Sequence, residues 1–523
     1  MSLQGKPDVE EKECFDDQSQ VVKLDKNGLP LSPQPSDDPE DPLNWSLVYR
    51  SFVLVQVSLL ASLGNFNVAI INPAYGELAA EFGISTVTAS YQTTVVIAMN
   101  GLGPFLFLPL ANAWGRRPVY LFTTFIGFAS ALGCAFARTY PQLIGARIVN
   151  GIFPVAMSLG VASVNDMFFL HQRGRAMGFY TMWMTNGSHI APIFGGLIGQ
   201  FLGWRWIFKV ASIANAFMFL FIVFGLPETQ YFRGEHGRDR TFSTGEKVTS
   251  GDAPSENDSR KRGVGTGQSE TQACRRASAW QRHVKRLRIR ERSEGREVKV
   301  KDFVVPVVKM AKYPSVLFPA IYYATQYGFG SILPAVTVST IFSRAFDWNT
   351  LQIGLAYGSA LTIGSFLGET AGGWVVDYVI ERARRRHGED APSEVRLTAV
   401  WTGQILVPAG LLIYGFGIQF GAAWPGPIIG MGVACFGVQC ITTVMYTYSS
   451  DCYRDRSDQV AQVFNFFRQE IGMTFAFYAI PLATAMGGYQ WLFLFFAGLG
   501  SVVAFLPIVF LMYKGEATRR RMS

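Results

Sequence analysis

Residues 89–137 read ASYQTTVVIAMNGLGPFLFLPLANAWGRRPVYLFTTFIGFASALGCAFA, two apolar runs at 89–110 and 118–137 joined by a short turn that carries Arg116 and Arg117. Neither run contains an acidic or basic side chain, and each is long enough as an α-helix to cross about 30 Å of hydrocarbon. Their apolar residues are continuous rather than alternating, which excludes the strands of a membrane β-barrel. The stretch therefore reads as a helical hairpin in a bilayer, with its basic turn at one surface.

The pattern repeats along the chain. Further runs lie near 50–73, 141–165, 175–201, 205–226, 313–341, 351–376, 397–418, 424–448, 458–483 and 488–513, making twelve in two groups of six. Composition agrees: 49% of the 523 residues are hydrophobic and only 16% are charged, against about 25% charged in a soluble protein. The expected fold is an all-α integral membrane protein with about twelve transmembrane helices in two six-helix bundles. Residues 1–48 are expected to be a disordered cytosolic N-terminus, 49–229 the first bundle, 230–312 a basic cytosolic linker, 313–514 the second bundle and 515–523 a cytosolic tail.

Charge sets the orientation. One set of alternate connections holds Arg116 and Arg117, Arg173 and Arg175, the basic linker, Arg382 to Arg386, Arg454 and Arg456, and Arg519 to Arg521. The other set holds only Arg138, Arg205, Lys209 and Arg344. The positive-inside bias then puts both termini and the linker in the cytosol of a multi-pass protein, expected in the cell membrane with an internal membrane as the open alternative. The net charge of +8 is a record of orientation, and no nucleic-acid partner is expected. Within the linker, the basic stretch 280–290 reads as solvated chain or as a segment lying on anionic lipid.

Some classes drop out. The six cysteines show no C-x-x-C pair or Cys/His cluster at metal-ligand spacing, so neither a disulfide framework nor a metal site is expected, and no cofactor is implied. No nucleophile elbow, P-loop or soluble catalytic domain points to an enzyme. Two six-helix groups joined by a long inside loop match instead the parallel-repeat plan of transporters that bind substrate at the midplane between halves.

Short motifs sharpen this. Asp41-Pro42-Leu43-Asn44-Trp45 precedes the first run; Pro109 to Pro118 forms the loop after the second; Arg147-x-x-x-Gly151 lies in the fourth. Gly187-x-x-x-Ala191-Pro192-x-x-Gly195-Gly196 lies in the fifth run, and Leu226-Pro227-Glu228-Thr229 ends the sixth. In this order the motifs make the chain similar to the major facilitator superfamily, in its fungal twelve-span drug:proton antiporter branch. The resemblance implies gating by the inside loops: Asn112, Gly115, Arg116 and Arg117 between the second and third helices, Asp166 and Arg173 between the fourth and fifth, and Asp377 in the second half. It also implies proton transfer near Arg147. The chain departs from the family loop at Asn112, where the family has an aspartate that helps latch the other half. Asn112 can accept a hydrogen bond at a helix start but cannot form an ion pair.

Polar side chains inside apolar runs are costly and mark candidate sites. Arg147 shares a face with Asn150, Gly151, Pro154 and Ser158, read here as a small polar stripe facing the cavity. Arg468 lies about 16 Å into the eleventh run by helical rise, with Asn465 and Gln469 on its face and Glu470 next to it. A buried guanidinium calls for a carboxylate, a carbonyl cluster or an anionic ligand, and a structural cross-helix ion pair is the competing reading. Tyr323, Gln326 and Tyr327 share a face of the seventh run, Gln439 lies on the tenth, and Asn65 on the first; these suit a large, mainly uncharged substrate or interhelical packing. Proton coupling needs a titrating group, for which His189, Glu369, Glu470 and Asp166 are the candidates beside Arg147.

The expected function is proton-coupled transport by alternating access, with substrate and proton as partners of a monomer in the bilayer, and the resemblance implies export of a hydrophobic or amphipathic small molecule, a xenobiotic or secondary metabolite. Uptake of an amine or other nutrient is the alternative within transport, and a non-transporting sensor on a carrier fold the alternative outside it.

Overall fold

A computed structural model describes residues 33–36, 38–153, 155–231, 283, 287, 301–387, 393–453 and 456–522. All regular structure among them is helical. Among the described residues ten helices are long and apolar enough to cross a membrane: Leu47–Phe82, Thr86–Trp114, Arg116–Ala135, Tyr140–Met167, Trp204–Gly225, Pro314–Phe346, Thr350–Ala383, Glu394–Gln419, Pro425–Cys452 and Tyr489–Arg520. Two more complete the set in chain order, Leu170–Leu202 and the pair Ser457–Met473 and Phe475–Ala485. These twelve are spans 1 to 12. Spans 5 and 11 are the least apolar because they carry Thr181, Asn186 and His189, and Gln462, Asn465, Arg468, Gln469 and Glu470 respectively. Most of those side chains face other helices, which is how a membrane helix tolerates them.

Local signals start and stop the helices. Asp41 accepts the backbone N–H of Leu43, and Ser46 and Ser85 cap spans 1 and 2 by accepting from Tyr49 and Thr88. Span 1 does not stop at 73: it turns at Asn72–Ala74 and resumes as Tyr75–Phe82, ending at Gly83 with φ 63°. A helix over Lys301–Ala311 occupies part of the expected linker, burying Val307 and Met310 against the second half and packing on both span 2 and span 11. Apart from His283 and Leu287, the basic stretch 280–290 lies outside the described residues, as does the chain before Pro33.

Each half has its own core. Val57, Tyr120, Leu159 and Ile222 belong to one buried cluster of the first half, Tyr75, Ala191 and Phe208 to another; Tyr323, Leu361, Val438 and Phe493 belong to the cluster of the second. The first half is also knit by a buried polar knot. Arg147, 1% exposed, donates from Nε to Gln92 Oε1 at 2.6 Å, from Nη1 to Asn67 O at 2.9 Å and Asn150 Oδ1 at 3.2 Å, and from Nη2 to Val68 O at 3.2 Å. Its guanidinium lies 5.1 Å from the centroid of Phe208. Span 1 breaks just beyond Asn67 and Val68, and Arg147 occupies the carbonyls near that break. Two members of the stripe read as facing the cavity pack on neighbouring helices: a Cβ added at Gly151 would lie 2.8 Å from Val96 O on span 2, and Asn150 Nδ2 reaches Ser130 Oγ of span 3 at 3.1 Å, while Pro154 lies outside the described residues.

The halves meet along two seams, span 5 against span 8 and span 2 against span 11. At the first, Gly196 and Gly354 bring the two backbones together: a Cβ on Gly354 would stand 2.4 Å from Pro192 O and 2.7 Å from Gly196 Cα. Away from the arginine-rich loops, Thr350 Oγ1 donates to Glu77 Oε1 at 2.6 Å, Ser339 Oγ to Pro73 O at 3.3 Å, and Thr340 Oγ1 to Thr86 Oγ1 at 2.9 Å. This end of the molecule is closed.

Two expectations follow. In a background without native cysteines, Thr86→Cys paired with Thr340→Cys should oxidise readily to a disulfide, and adding Gly354→Leu should slow that step by about tenfold or more, measured by gel shift. Arg147→Leu should lower stability by several kcal/mol, about 1–3 for each buried acceptor left without a donor, read as a fall in melting temperature in detergent, with Arg147→Lys recovering only part.

Candidate functional site

Span 11 enters the seam as a helix whose lower turns are polar and whose upper part, Phe475–Ala485, is apolar, with the break at Thr474. Arg468 is 4% exposed in the middle of the bundle. Its guanidinium stands 5.0 Å from the centroid of Tyr327 and has Tyr323 and Tyr446 as electrostatic neighbours. These rings also pack on one another, Tyr323 on Tyr327 at 5.8 Å, on Tyr446 at 5.5 Å and on Phe464 at 5.8 Å. Arg468 Nη2 donates to Asn465 Oδ1 at 2.9 Å, and Asn465 Nδ2 donates across the seam to Asn100 O at 3.3 Å. Arg468 Nε is buried with no partner, and among the described residues no carboxylate pairs with this guanidinium. The cross-helix ion pair weighed as the structural reading is absent from the described set.

The titratable candidates lie on the same seams. Glu369 of span 8 accepts from Thr181 Oγ1 of span 5 at 2.7 Å through Oε1, while its Oε2 is buried without a partner. Glu470 of span 11 presses toward Gly101 of span 2, where an added Cβ would be 2.6 Å from Oε1, an oxygen also buried and unpartnered. His189, 1% exposed on span 5, meets Ser331 Oγ at 3.2 Å through Nε2, and its Nδ1 has no partner. Ser331 sits in a π-helical turn, Gly328–Ile332, that widens span 7 where it faces the other half. Carboxyl, carboxyl and imidazole thus each carry one unsatisfied buried atom on a contact between halves.

The other expected substrate contacts behave differently. Asn65 Nδ2 donates to Met184 O at 2.7 Å, Gln326 Nε2 to Gly500 O at 3.0 Å, and Gln439 Nε2 to Ser365 Oγ at 3.0 Å. Each of these bonds joins helices within one half, so these three side chains brace their own bundle. Gln469 is 5% exposed with its Cβ toward Gly101. The structure therefore gathers Tyr323, Tyr327, Asn465 and Arg468 into one group, with Gln469 and Glu470 beside it on the seam and Glu369 on the other.

At the arginine-rich end, Gly115 with φ 97° turns the chain so that the backbone N–H groups of Arg116 and Arg117 donate to Glu228 Oε1 and Oε2 at 3.1 and 3.0 Å. Glu228 thereby caps span 3, an anion at a helix N-terminus. Arg116 pairs with Asp166 at 2.6 Å, Arg117 Nη2 reaches Val223 O at 2.9 Å, and Arg173 Nη2 reaches Asn165 O at 2.9 Å. The Asn112 side chain is exposed and its carbonyl accepts from Gln230 Nε2 at 2.9 Å. Asp377 is exposed on span 8. The family latch between halves is thus not made through Asn112 here, and the loop is tied to its own half. Glu77, Thr181, Ser331 and the capping role of Glu228 escaped the sequence reading, because Ser and Thr are common in membrane helices and a helix-end Glu gives no sign of what it caps.

Comparison with known proteins fits this architecture. The family model described as Major Facilitator Superfamily matches residues 57–477. The chain is 28% identical to MFS transporter fsa7 of a Fusarium species over 86% of its own length and 82% of that protein, and 25% identical to MFS-type transporter penM of Penicillium rubens over 92% and 88%. It is 26% identical to Protein HOL1 of Saccharomyces cerevisiae over 83% and 81%. Its fold is similar, with a TM-score of 0.53 and 14% identity over 91% of this chain and 98% of the other, to the crystal structure of a bacterial homolog of the human lysosomal transporter Spinster in an inward-facing, unoccupied conformation. Two six-span halves meeting at two seams, and a family match over most of the length, place the chain in the major facilitator superfamily, as a multi-pass membrane transporter.

Proposed function

We propose that this chain is a proton-coupled secondary transporter that exports a hydrophobic or amphipathic small molecule by alternating access. The observation that carries the reading is Glu369, a carboxyl held inside the span 5–span 8 seam by one hydroxyl, with its second oxygen buried and unpartnered. An ionised carboxylate in such a place would lack compensation, so the closed seam holds the neutral acid. Glu369 lies toward the arginine-rich end of span 8, which the positive-inside bias places in the cytosol. Separation of the cytosolic ends wets Glu369 and releases its proton inward; the proton that restores the neutral acid comes from the opposite side of the membrane. Inward proton release tied to cytosolic opening is the step that proton-driven transport needs. Glu470 on the span 2–span 11 seam and His189 against Ser331 stand in the same relation to closure.

The aromatic group around Arg468 supports contact with a flat, largely apolar body at the midplane. The loop ties of Arg116, Arg117, Asp166 and Arg173 support a gate that moves with its own half as a rigid piece. One chain holds both halves of the pathway, so the working unit is a monomer in the cell membrane with both termini cytosolic. Amine uptake is the weaker reading, since a midplane guanidinium without a carboxylate neighbour repels a cation.

The test begins with comparative metabolite profiling of cells and medium with and without the protein, which names a compound. Vesicles carrying the protein should then move that compound only under a pH gradient, and flux indifferent to the gradient would remove the coupling claim. Glu369→Gln, a fixed neutral mimic, should lower gradient-driven flux by about tenfold or more while compound binding persists.

A further inference from the structure

We infer that the group around Arg468 is an organic-anion site, so that the transported molecule carries an acidic group, a carboxylate, on an apolar body. The inference rests on the transport reading above and narrows it to a substrate class.

Of the buried arginines among the described residues, Arg50, Arg116 and Arg117 lie at the starts of spans 1 and 3, and the two deeper within spans, Arg147 and Arg468, make the argument. Arg147 shows how this fold treats a structural guanidinium: donors on all three nitrogens have acceptors within the first half, and the residue is 1% exposed. Arg468 is buried to nearly the same degree, 4% exposed, yet its acceptors are the neutral amide oxygen of Asn465 and the hydroxyl of Tyr323, and its Nε has none. Leaving a buried charged donor without an acceptor is costly, and the cation–π contact with Tyr327 offsets only part of it. The acid nearest in sequence, Glu470, directs its Oε1 at Gly101 of span 2. The missing acceptor is therefore one that arrives and leaves.

Position supports a mobile partner. Arg468 lies where the halves meet, tied through Asn465 to the backbone of Asn100 in the other half. Opening that seam loosens the tether and presents Nε–H to the pathway. The rings of Tyr323, Tyr327 and Tyr446 form the wall beside it, suited to an aromatic body joined to the acid. A guanidinium fork matches the planar carboxylate group, which an ammonium does not.

The full chain in lipid nanodiscs, without any gradient, tests this with three probes: 1-naphthoate, its neutral amide 1-naphthamide, and chloride. Wild-type protein should bind 1-naphthoate about tenfold or more tightly than 1-naphthamide, and Arg468→Gln should abolish the difference, with Arg468→Lys keeping a fraction of it. Tyr327→Leu should weaken both naphthyl probes alike. Equal binding of acid and amide, no binding of the acid, or an unchanged preference in Arg468→Gln would overturn the inference. So would an Arg468-dependent thermal shift with chloride that naphthoate does not exceed, which would mark a small-ion site. Should Arg468→Gln fail to fold, the wild-type preference still decides. Because binding is read without transport, an acid-selective protein whose flux ignores the pH gradient would lose the coupling claim and keep this site, and a proton-driven exporter blind to the acid would do the reverse.

Discussion

Hydrocarbon offers no hydrogen bonds, so each polar atom carried into this bundle must find its partner in the protein or remain costly. Two sets of buried polar side chains show that constraint at work. Arg147, Asn65, Gln326 and Gln439 are bonded within one half and hold helices together. His189, Glu369, Arg468 and Glu470 each keep one buried atom unpartnered, and each lies where one half touches the other. The first group makes two rigid bodies. The second makes their contact conditional on a proton or a ligand.

Close backbone approach makes that contact possible. With Gly196 facing Gly354, spans 5 and 8 meet nearly backbone to backbone, and the hydrogen bonds of Ser339, Thr340 and Thr350 close one end. The motif glycines thus have a mechanical reading: Gly187 and Gly195 fit span 5 to span 1, while Gly196 fits it to span 8. One helix is fixed to its own half on one face and slides against the other half on its opposite face. Such an element can transmit opening without unravelling, since its internal bonds do not change.

Much of the fold was legible because hydropathy and inside arginines are additive along the chain: the hairpin at 89–137 contained the whole principle. The polar run of span 11 was also legible, and Arg468 stood out because a guanidinium has no ordinary place in an apolar helix. Less legible were the directions of side chains. Helical spacing grouped Arg147 with Gly151 and Asn150 correctly, but could not tell a cavity from the neighbouring spans on which they pack. The bonds of Gln326 and Gln439 within their own half were not legible, because nothing in one sequence shows the carbonyl of Gly500 or the hydroxyl of Ser365 waiting for them. The latch at Asn112 depended on a partner in the other half, a long-range relation that local sequence does not encode.

The central claim is that protonation of groups on the seams sets which end of the transporter is open. Spin labels at exposed Arg175 and Tyr378, near the arginine-rich ends of spans 5 and 8, and at exposed Leu202 and Asn349, at their opposite ends, report each end separately. Double electron–electron resonance in nanodiscs should show the 175–378 distance shortening as pH falls from about 8 to about 5, a range that brackets the ordinary His value, with the opposite pair changing in the reverse sense and Glu369→Gln locking the short distance at either pH. Distance distributions that stay the same across that range in the unmodified chain would contradict the account.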